Sequence, residues 1–376
     1  MKILLADNSH FALWHFRGGL IRRLLDIGHE VTLVTPPPED GDPSGRKSQC
    51  RHIHLPFSRH ATSPLANAML LFRYLALLRR ERPDVFIGYT IKPNIFGSLA
   101  CRLLGIPTIN VIPGRGRAFE RDDWLQGLVR LLYRLALGGS RRVFFLNPDD
   151  LEMFISRRIL PPEICAHLPG EGIDLTHYDF AQLPDTEHAP FRFLFIGRMM
   201  KTKGAIEFVA AAQHIRRRRS GVVFQLLGGC DDDDPAFIPC RELHKWNEKG
   251  AVQYLGTTND VRPFIRDASC LVLPTFYPEG LPRVLLEGAA MGRPLIASDW
   301  PGCREIIQDG ENGFLCGPRD IMDLVRQMER MLLLSKEERA RMGRKGREIV
   351  RRNFTEEKIL ARYLEILEEI EGESDS

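Results

Sequence analysis

Apolar and polar positions along this chain switch between two periods, and the switching predicts strands alternating with helices. Ile3–Ala6 is a short apolar run of strand length. A stretch of helical spacing follows from Trp14 to Ile27, with Gly28 placed to end it. Val31–Val34, Val85–Ile87, Thr108–Ile112 and Val143–Leu146 are further β-rich runs. Helical stretches lie at Leu65–Arg82, Ile95–Leu104 and Trp124–Leu137. Such alternation predicts βαβ units and a parallel sheet.

Between Pro169 and Pro190 the periodicity lapses into a segment holding Pro169, Gly170, Gly172, Pro184 and Pro190, which reads as a linker. The pattern then restarts. Phe193–Ile196, Val222–Leu227, Val252–Leu255, Cys270–Leu273 and Pro294–Ala297 are expected strands, and Ala205–Arg219 is an expected helix. Ser335 and Glu338 form a capping box. Beyond Thr355, the residues Ile359, Tyr363, Ile366, Leu367 and Ile370 make one apolar stripe that must bury a face, and Gly372–Ser376 is polar and expected to fray. The expected organisation is a first α/β domain over 1–168, a linker over 169–190, a second over 191–353, and a C-terminal helix and tail over 354–376 packing back on the first. Two doubly wound, Rossmann-like domains of this kind face each other across a cleft. Their ligands belong in loops at the carboxyl ends of the strands.

Composition narrows the classes. At 376 residues, 44% hydrophobic and 27% charged, the chain is neither disordered, collagen-like nor a polytopic membrane protein. Lys and Arg total 52 against 49 Asp and Glu, an excess too small for a general nucleic-acid binder. The longest apolar stretch, Ala66–Leu78, is broken by Arg73 and falls short of the ~20 residues a spanning helix needs. A soluble protein or one on a membrane surface is expected. The eight cysteines are spread without a CxxC pair and read as reduced, buried thiols.

Two segments carry candidate chemistry. Gly197-Arg198-Met199-Met200-Lys201-Thr202-Lys203-Gly204 follows a strand and opens a helix. It places Arg198 and Lys203 beside a helix N-terminus, which suits a diphosphate; ordinary surface basicity is the bland alternative. Phe276-Tyr277-Pro278-Glu279-Gly280-Leu281-Pro282 follows another strand, with Pro282 suited to begin a helix and Gly280 allowing close backbone approach, so that N–H groups near Gly280 and Leu281 face an anion. Glu287 lies inside that helix among Leu285, Leu286, Ala289 and Ala290, where a carboxylate needs a partner such as a sugar diol. The run Asp231–Asp234 fits an exposed loop better than a metal site, and the arginines among leucines at Arg73–Arg82 read equally as a basic amphipathic helix for a lipid interface and as a core-facing helix with a basic outer face.

Arg198…Lys203 and Glu279-x7-Glu287, with Asp299-Trp-Pro-Gly-Cys-Arg-Glu305 and Asp309-Gly-Glu-Asn-Gly-Phe-Leu315, resemble the retaining glycosyltransferases of family 4, which have the GT-B fold. In the first half, Tyr89-Thr-Ile-Lys-Pro-Asn-Ile-Phe-Gly97 and His15-Phe16-Arg17 resemble bacterial N-acetylgalactosaminyltransferases acting on undecaprenyl-diphosphate sugars of surface glycans. The resemblance implies a metal-independent transferase with a UDP-sugar donor, a lipid-linked glycan acceptor and a peripheral place on the inner face of the cytoplasmic membrane, with no nucleic acid. It implies that Arg198 and Lys203 contact the diphosphate, Glu287 the ribose, and Glu279 with Gly280 and Leu281 the donor sugar and phosphate. It also implies a first-domain loop around Arg17, Gly18 and Gly19 that closes over the donor. Lys92 and Arg115 are further acceptor candidates, since no histidine stands at Gly88-Tyr89-Thr90 to carry a catalytic role. The rivals are a lipopolysaccharide-core transferase with another NDP-sugar, a sugar-nucleotide epimerase, a non-catalytic scaffold at the membrane and an RNA-binding protein.

Overall fold

The computed structural model describes residues 1–37, 50–57, 63–114, 124–186 and 188–374, without the side chains of 124, 125 and 374. They form two compact units, residues 1–172 with 356–376 and residues 173–355.

The first unit opens with β1 (Lys2–Ala6), α1 (His10–Asp26), β2 (Glu30–Thr35), β3 (Arg51–His54), α2 (Pro64–Glu81), β4 (Val85–Tyr89) and α3 (Ser98–Leu104). It continues with β5 (Thr108–Ile112), α4 (Trp124–Leu137), β6 (Arg142–Phe145), α5 (Pro148–Ser156) and β7 (Cys165–His167). The strands are parallel in the order β3-β2-β1-β4-β5-β6-β7. The period of two sorts the core. Ile3, Leu5, Val85 and Ile87 face a cluster with α1, whereas Leu4, Ala6 and Phe86 face one with α2 and α3. Ile112, Val143 and Phe145 continue that second face under α4 and α5.

The second unit runs β8 (Phe191–Ile196), α6 (Ala205–Arg216), β9 (Val222–Leu227), α7 (Cys240–Glu248), β10 (Gln253–Tyr254), α8 (Arg262–Asp267) and β11 (Cys270–Leu273). After these come α9 (Arg283–Ala290), β12 (Leu295–Ser298), α10 (Cys303–Ile306), β13 (Gly313–Cys316), α11 (Ile321–Leu333) and α12 (Lys336–Asn353). Its parallel sheet repeats the winding, β10-β9-β8-β11-β12-β13. In both sheets the order reverses beside the first strand, between β1 and β4 and between β8 and β11, and such reversals open a crevice for ligands.

The chain then returns to the first unit as α13 (Glu356–Ser374), whose stripe of Ile359, Tyr363, Ile366, Leu367 and Ile370 is buried beside α1. At about 1.5–3 kcal/mol per large apolar side chain, that stripe is a substantial share of the unit's core. Gly19 makes the approach feasible, since a Cβ there would lie 2.1 Å from the Glu356 carboxylate.

The structure corrects several expectations. Arg17, Gly18 and Gly19 lie inside α1, which begins at His10 behind its Ser9 cap, so they form no closing loop. The local sequence allows this because Ser9 accepts from the Ala12 N–H and supplies a start signal ahead of the apolar spacing. Cys230 and Cys240 are joined by a disulfide; the others remain thiols, of which Cys165 is half-buried and the rest buried. Two strand-to-helix loop ends can meet without a CxxC spacing. The helix expected over 95–104 instead begins with a π turn, Pro93–Gly97, before α3. The C-terminal helix persists to Ser374 rather than fraying at Gly372. No helix among the described residues is long and apolar enough to cross a membrane.

Candidate active site

The loop from Gly197 to Gly204 lies at the carboxyl end of β8, at the second unit's reversal. It is tied down on two sides. Met199 N donates to Gly229 O at 2.8 Å, Ile238 N to Met199 O at 2.7 Å and Lys201 N to Ala236 O at 2.9 Å, which fixes it to the loop after β9. Phe276 N donates to Thr202 O at 2.9 Å, fixing it to the loop after β11. Gly204 has φ +85°, and a Cβ there would come within 2.1 Å of Pro274 O. Only glycine allows this close approach. The other flank repeats the device, with Gly302 at φ +85° against Gly280 O.

These constraints bring Lys203 and Glu279 together across the reversal. Lys203 Nζ donates to Glu279 Oε1 at 2.6 Å and stands 5.3 Å from the Tyr277 ring centre, with the two side chains 12% and 18% exposed. Tyr277 is steadied through its carbonyl, which accepts from Trp300 Nε1 at 3.1 Å. Arg198, on the same loop, is exposed and has no side-chain partner among the described residues. An ammonium has three N–H donors, of which Glu279 takes one. The arrangement therefore holds two cations at the mouth of a parallel sheet, one of them oriented by a carboxylate.

Glu287 is buried in α9. Its Oε1 accepts from Tyr178 Oη at 2.9 Å and from Arg283 Nε at 3.2 Å. Burial pushes its carboxyl above the usual range, against the opposing pull of Arg283. Its partners here are these two residues rather than Lys203 or Glu279, and sequence reasoning named neither. Three carboxylates of the Asp231–Asp234 run bond local backbone, Asp231 Oδ1 accepting from Asp233 N, Asp234 Oδ1 from Ala236 N and Asp232 Oδ1 from Cys240 N at the start of α7.

In the first unit the reversal carries Asp7 after β1 and Tyr89–Thr90 at the end of β4. Arg17 Nη1 lies 3.1 Å from Asp7 Oδ2 and Nη2 donates to Glu171 Oε1 at 2.9 Å. The guanidinium sits 4.3 Å from the Tyr89 ring centre, and Tyr89 bonds Tyr363 of α13. Burial opposes the Arg17 charge, but Glu171 and Asp7 outweigh it and its pKa rises. Burial pushes the Asp7 carboxyl up despite Arg17. Arg17 thus lies in a buried ion cluster, of which the sequence marked Arg17 and Tyr363 but not their convergence with Asp7 and Glu171. Gly18 packs within α1. Lys92 precedes the π turn, largely buried, its ammonium pushed down by that burial. Asn94 behind it donates to Val111 O at 2.8 Å. Arg115 lies outside the described residues.

Two doubly wound parallel-sheet units of this kind are the architecture of the GT-B fold. The sequence matches the Glycosyl transferase 4-like domain over residues 14–170 and Glycosyl transferases group 1 over residues 190–333, and the chain belongs to these glycosyltransferases. It is 27% identical over 359 residues to the N,N'-diacetylbacillosaminyl-diphospho-undecaprenol alpha-1,3-N-acetylgalactosaminyltransferase of Campylobacter jejuni, covering 91% of this chain and 92% of that protein. It is 28% identical to the lipopolysaccharide core biosynthesis glycosyltransferase LpsE of Rhizobium meliloti, over 93% of each. Among solved structures, sucrose-phosphate synthase of Thermosynechococcus elongatus superposes with a TM-score of 0.81 at 18% identity over 99% of both chains. Anabaena Alr3699/HepE in complex with UDP-glucose gives 0.80 at 16% identity, over 98% of this chain and 100% of that one.

Proposed function

We propose that this glycosyltransferase moves an N-acetylhexosamine, with retention, from a UDP-sugar to a glycan carried on a polyprenyl diphosphate at the membrane surface. The observation that carries the reading is the Lys203–Glu279 pair beside Arg198 at the second reversal. Cleavage of the bond from the anomeric carbon to the diphosphate leaves negative charge on UDP. Cations already fixed where that charge develops lower the barrier without reorganising. Glu279 holds the Lys203 ammonium in place, and Arg198 supplies a second positive contact. Glu287, steadied by Arg283 and Tyr178, is the acceptor for the ribose hydroxyls. Retention follows if the acceptor hydroxyl attacks from the face that the diphosphate leaves. The Campylobacter relative, an N-acetylgalactosaminyltransferase acting on a diphospho-undecaprenol substrate, supports both the donor and the acceptor class.

LpsE favours a second reading, in which the acceptor is lipopolysaccharide core. A thermal-shift panel of nucleotide sugars, followed by transfer to each acceptor class, separates the two. The expected result is stabilisation by UDP-sugars but not GDP-sugars, approaching ~2.7 kcal/mol at a hundred times Kd, and product only on the polyprenyl-linked acceptor. Product on core oligosaccharide alone overturns the acceptor assignment. A response to GDP-sugars alone overturns the donor.

A further inference from the structure

We propose that α2, α3 and α4 together form a bilayer-docking face of the first unit, selective for anionic lipid. The three helices lie on one side of its sheet, α2 packed against α3 and α3 against α4. Their inner sides fill the core. Their outer sides are not polar, as an ordinary surface helix would be. On α2, Leu65, Met69 and Phe72 stand out at i, i+4 and i+7, with Leu65 77% and Phe72 66% exposed. On α4, Leu128, Leu131 and Leu135 repeat the stripe at i, i+3 and i+7, and Leu103 of α3 lies between the two helices in the packing order, 63% exposed. Arg102 Nη1 donates to Leu135 O at 2.7 Å, tying α3 to the end of α4. Isolated exposed leucines are ordinary, but matched stripes on neighbouring helices are not.

The charge on these helices selects the occupant. Their sequences hold six arginines and a single acid, Glu81, which already pairs with Arg51 and Arg80. Arg79 and Arg134 are exposed. The next helix, α5, brings Asp149 and Glu152 back to the surface and marks the edge. An apolar outer stripe ringed by arginines, almost free of carboxylates, fits acyl chains and anionic headgroups: the leucines enter the interface while the guanidinium groups stay at headgroup level. A protein partner would have to supply a matching apolar surface with acids around it; the bilayer supplies both. The inference rests on the lipid-linked acceptor proposed above, which places the enzyme at a membrane.

Flotation of the full chain tests it, on vesicles of equal parts phosphatidylglycerol and phosphatidylcholine and on phosphatidylcholine alone. The wild-type protein floats with the anionic vesicles and far less with the neutral ones. Phe72→Ser with Leu131→Ser lowers partitioning by roughly a hundredfold, and Arg79→Ala with Arg80→Ala by at least about fivefold. Leu333→Ser, removing an exposed leucine of the second unit, leaves it unchanged. Thermal stabilisation by UDP is retained in every variant, so that failure here is distinct from failure of the donor assignment. No flotation, equal flotation on neutral vesicles, or an equal loss in Leu333→Ser overturns the proposal. So does a wild-type dimer in light scattering that Leu131→Ser dissociates, which would make a second copy the occupant.

Discussion

The two units share one winding and meet their reversal points with opposite solutions. In the first unit the space beside β1 and β4 is taken by the chain's own Arg17, with Asp7, Glu171 and the Tyr89 ring around it. In the second, the loops after β8 and β11 leave the Lys203 and Glu279 side chains 12% and 18% exposed and Arg198 exposed. The difference lies in where the charge is consumed. Arg17, buried between two carboxylates and the Ala12 carbonyl, holds the fold together. A cation held from one side by a single carboxylate keeps donors for an incoming anion. The topology opens a crevice at both places, and the local polar chemistry fills them differently.

The largest expected effect breaks the first of these. Arg17→Met leaves Asp7 and Glu171 as uncompensated acids in an apolar setting, and removing one partner of a buried pair costs about 3–5 kcal/mol. Urea unfolding should show that loss, with UDP affinity of the folded protein unchanged. A variant that folds as well as the wild type yet no longer uses acceptor would return Arg17 to the acceptor role.

Lys203→Ala should behave the other way. Its pair is less deeply buried than that of Arg17, and the cost to stability should fall below the ~3–5 kcal/mol of a fully buried pair. Transfer should fall about a hundred- to a thousandfold, as when one fixed donor is removed from a site of developing charge. Circular dichroism with a steady-state transfer assay separates the two. Transfer at the wild-type rate would show that the switch-point lysine plays no part in bond breaking.

Most of the framework was legible because it is written in periodicity. The central strands of both sheets and the buried stripe of α13 follow from spacing alone, whereas the short strands β3, β7 and β13 carry too few apolar positions to have been read; the capping box at Ser335–Glu338 is formed as read. The meeting of Lys203 with Glu279 was partly legible because short motifs carry both residues: Arg198 and Lys203 share one loop, and Glu279 follows a recognisable strand. What escaped was convergence across long separations. Glu171 meets Arg17 from 154 residues away, and Tyr178 meets Glu287 from 109. No local pattern encodes such a meeting; it depends on how the sheet orders its strands. The Cys230–Cys240 bridge escaped for a different reason: it is local, ten residues apart, and closes the two ends of the single loop between β9 and α7 without a CxxC spacing.

Glu287 sharpens the comparison with the smallest effect. Like Asp7, it is a buried acid whose carboxyl is pushed up by desolvation against a nearby arginine. The sign follows from proton binding. The folded state holds the Glu287 proton more tightly than the unfolded chain does, so its contribution to stability is complete below the ordinary value of 4.5 and is lost as pH rises through the folded value. Glu287→Gln has no proton to lose. Near pH 4 both proteins carry a neutral group at this position and should melt close together. As pH rises towards 8 the variant should melt progressively higher than the wild type. Donor affinity supplies the second readout, falling in the variant because one of the two acceptor oxygens becomes an NH2 that cannot accept a ribose hydroxyl. If the wild type instead gains on the variant with rising pH, Arg283 and Tyr178 hold a stable carboxylate there. Glu287 would then belong with Arg17, as a charge spent on the fold.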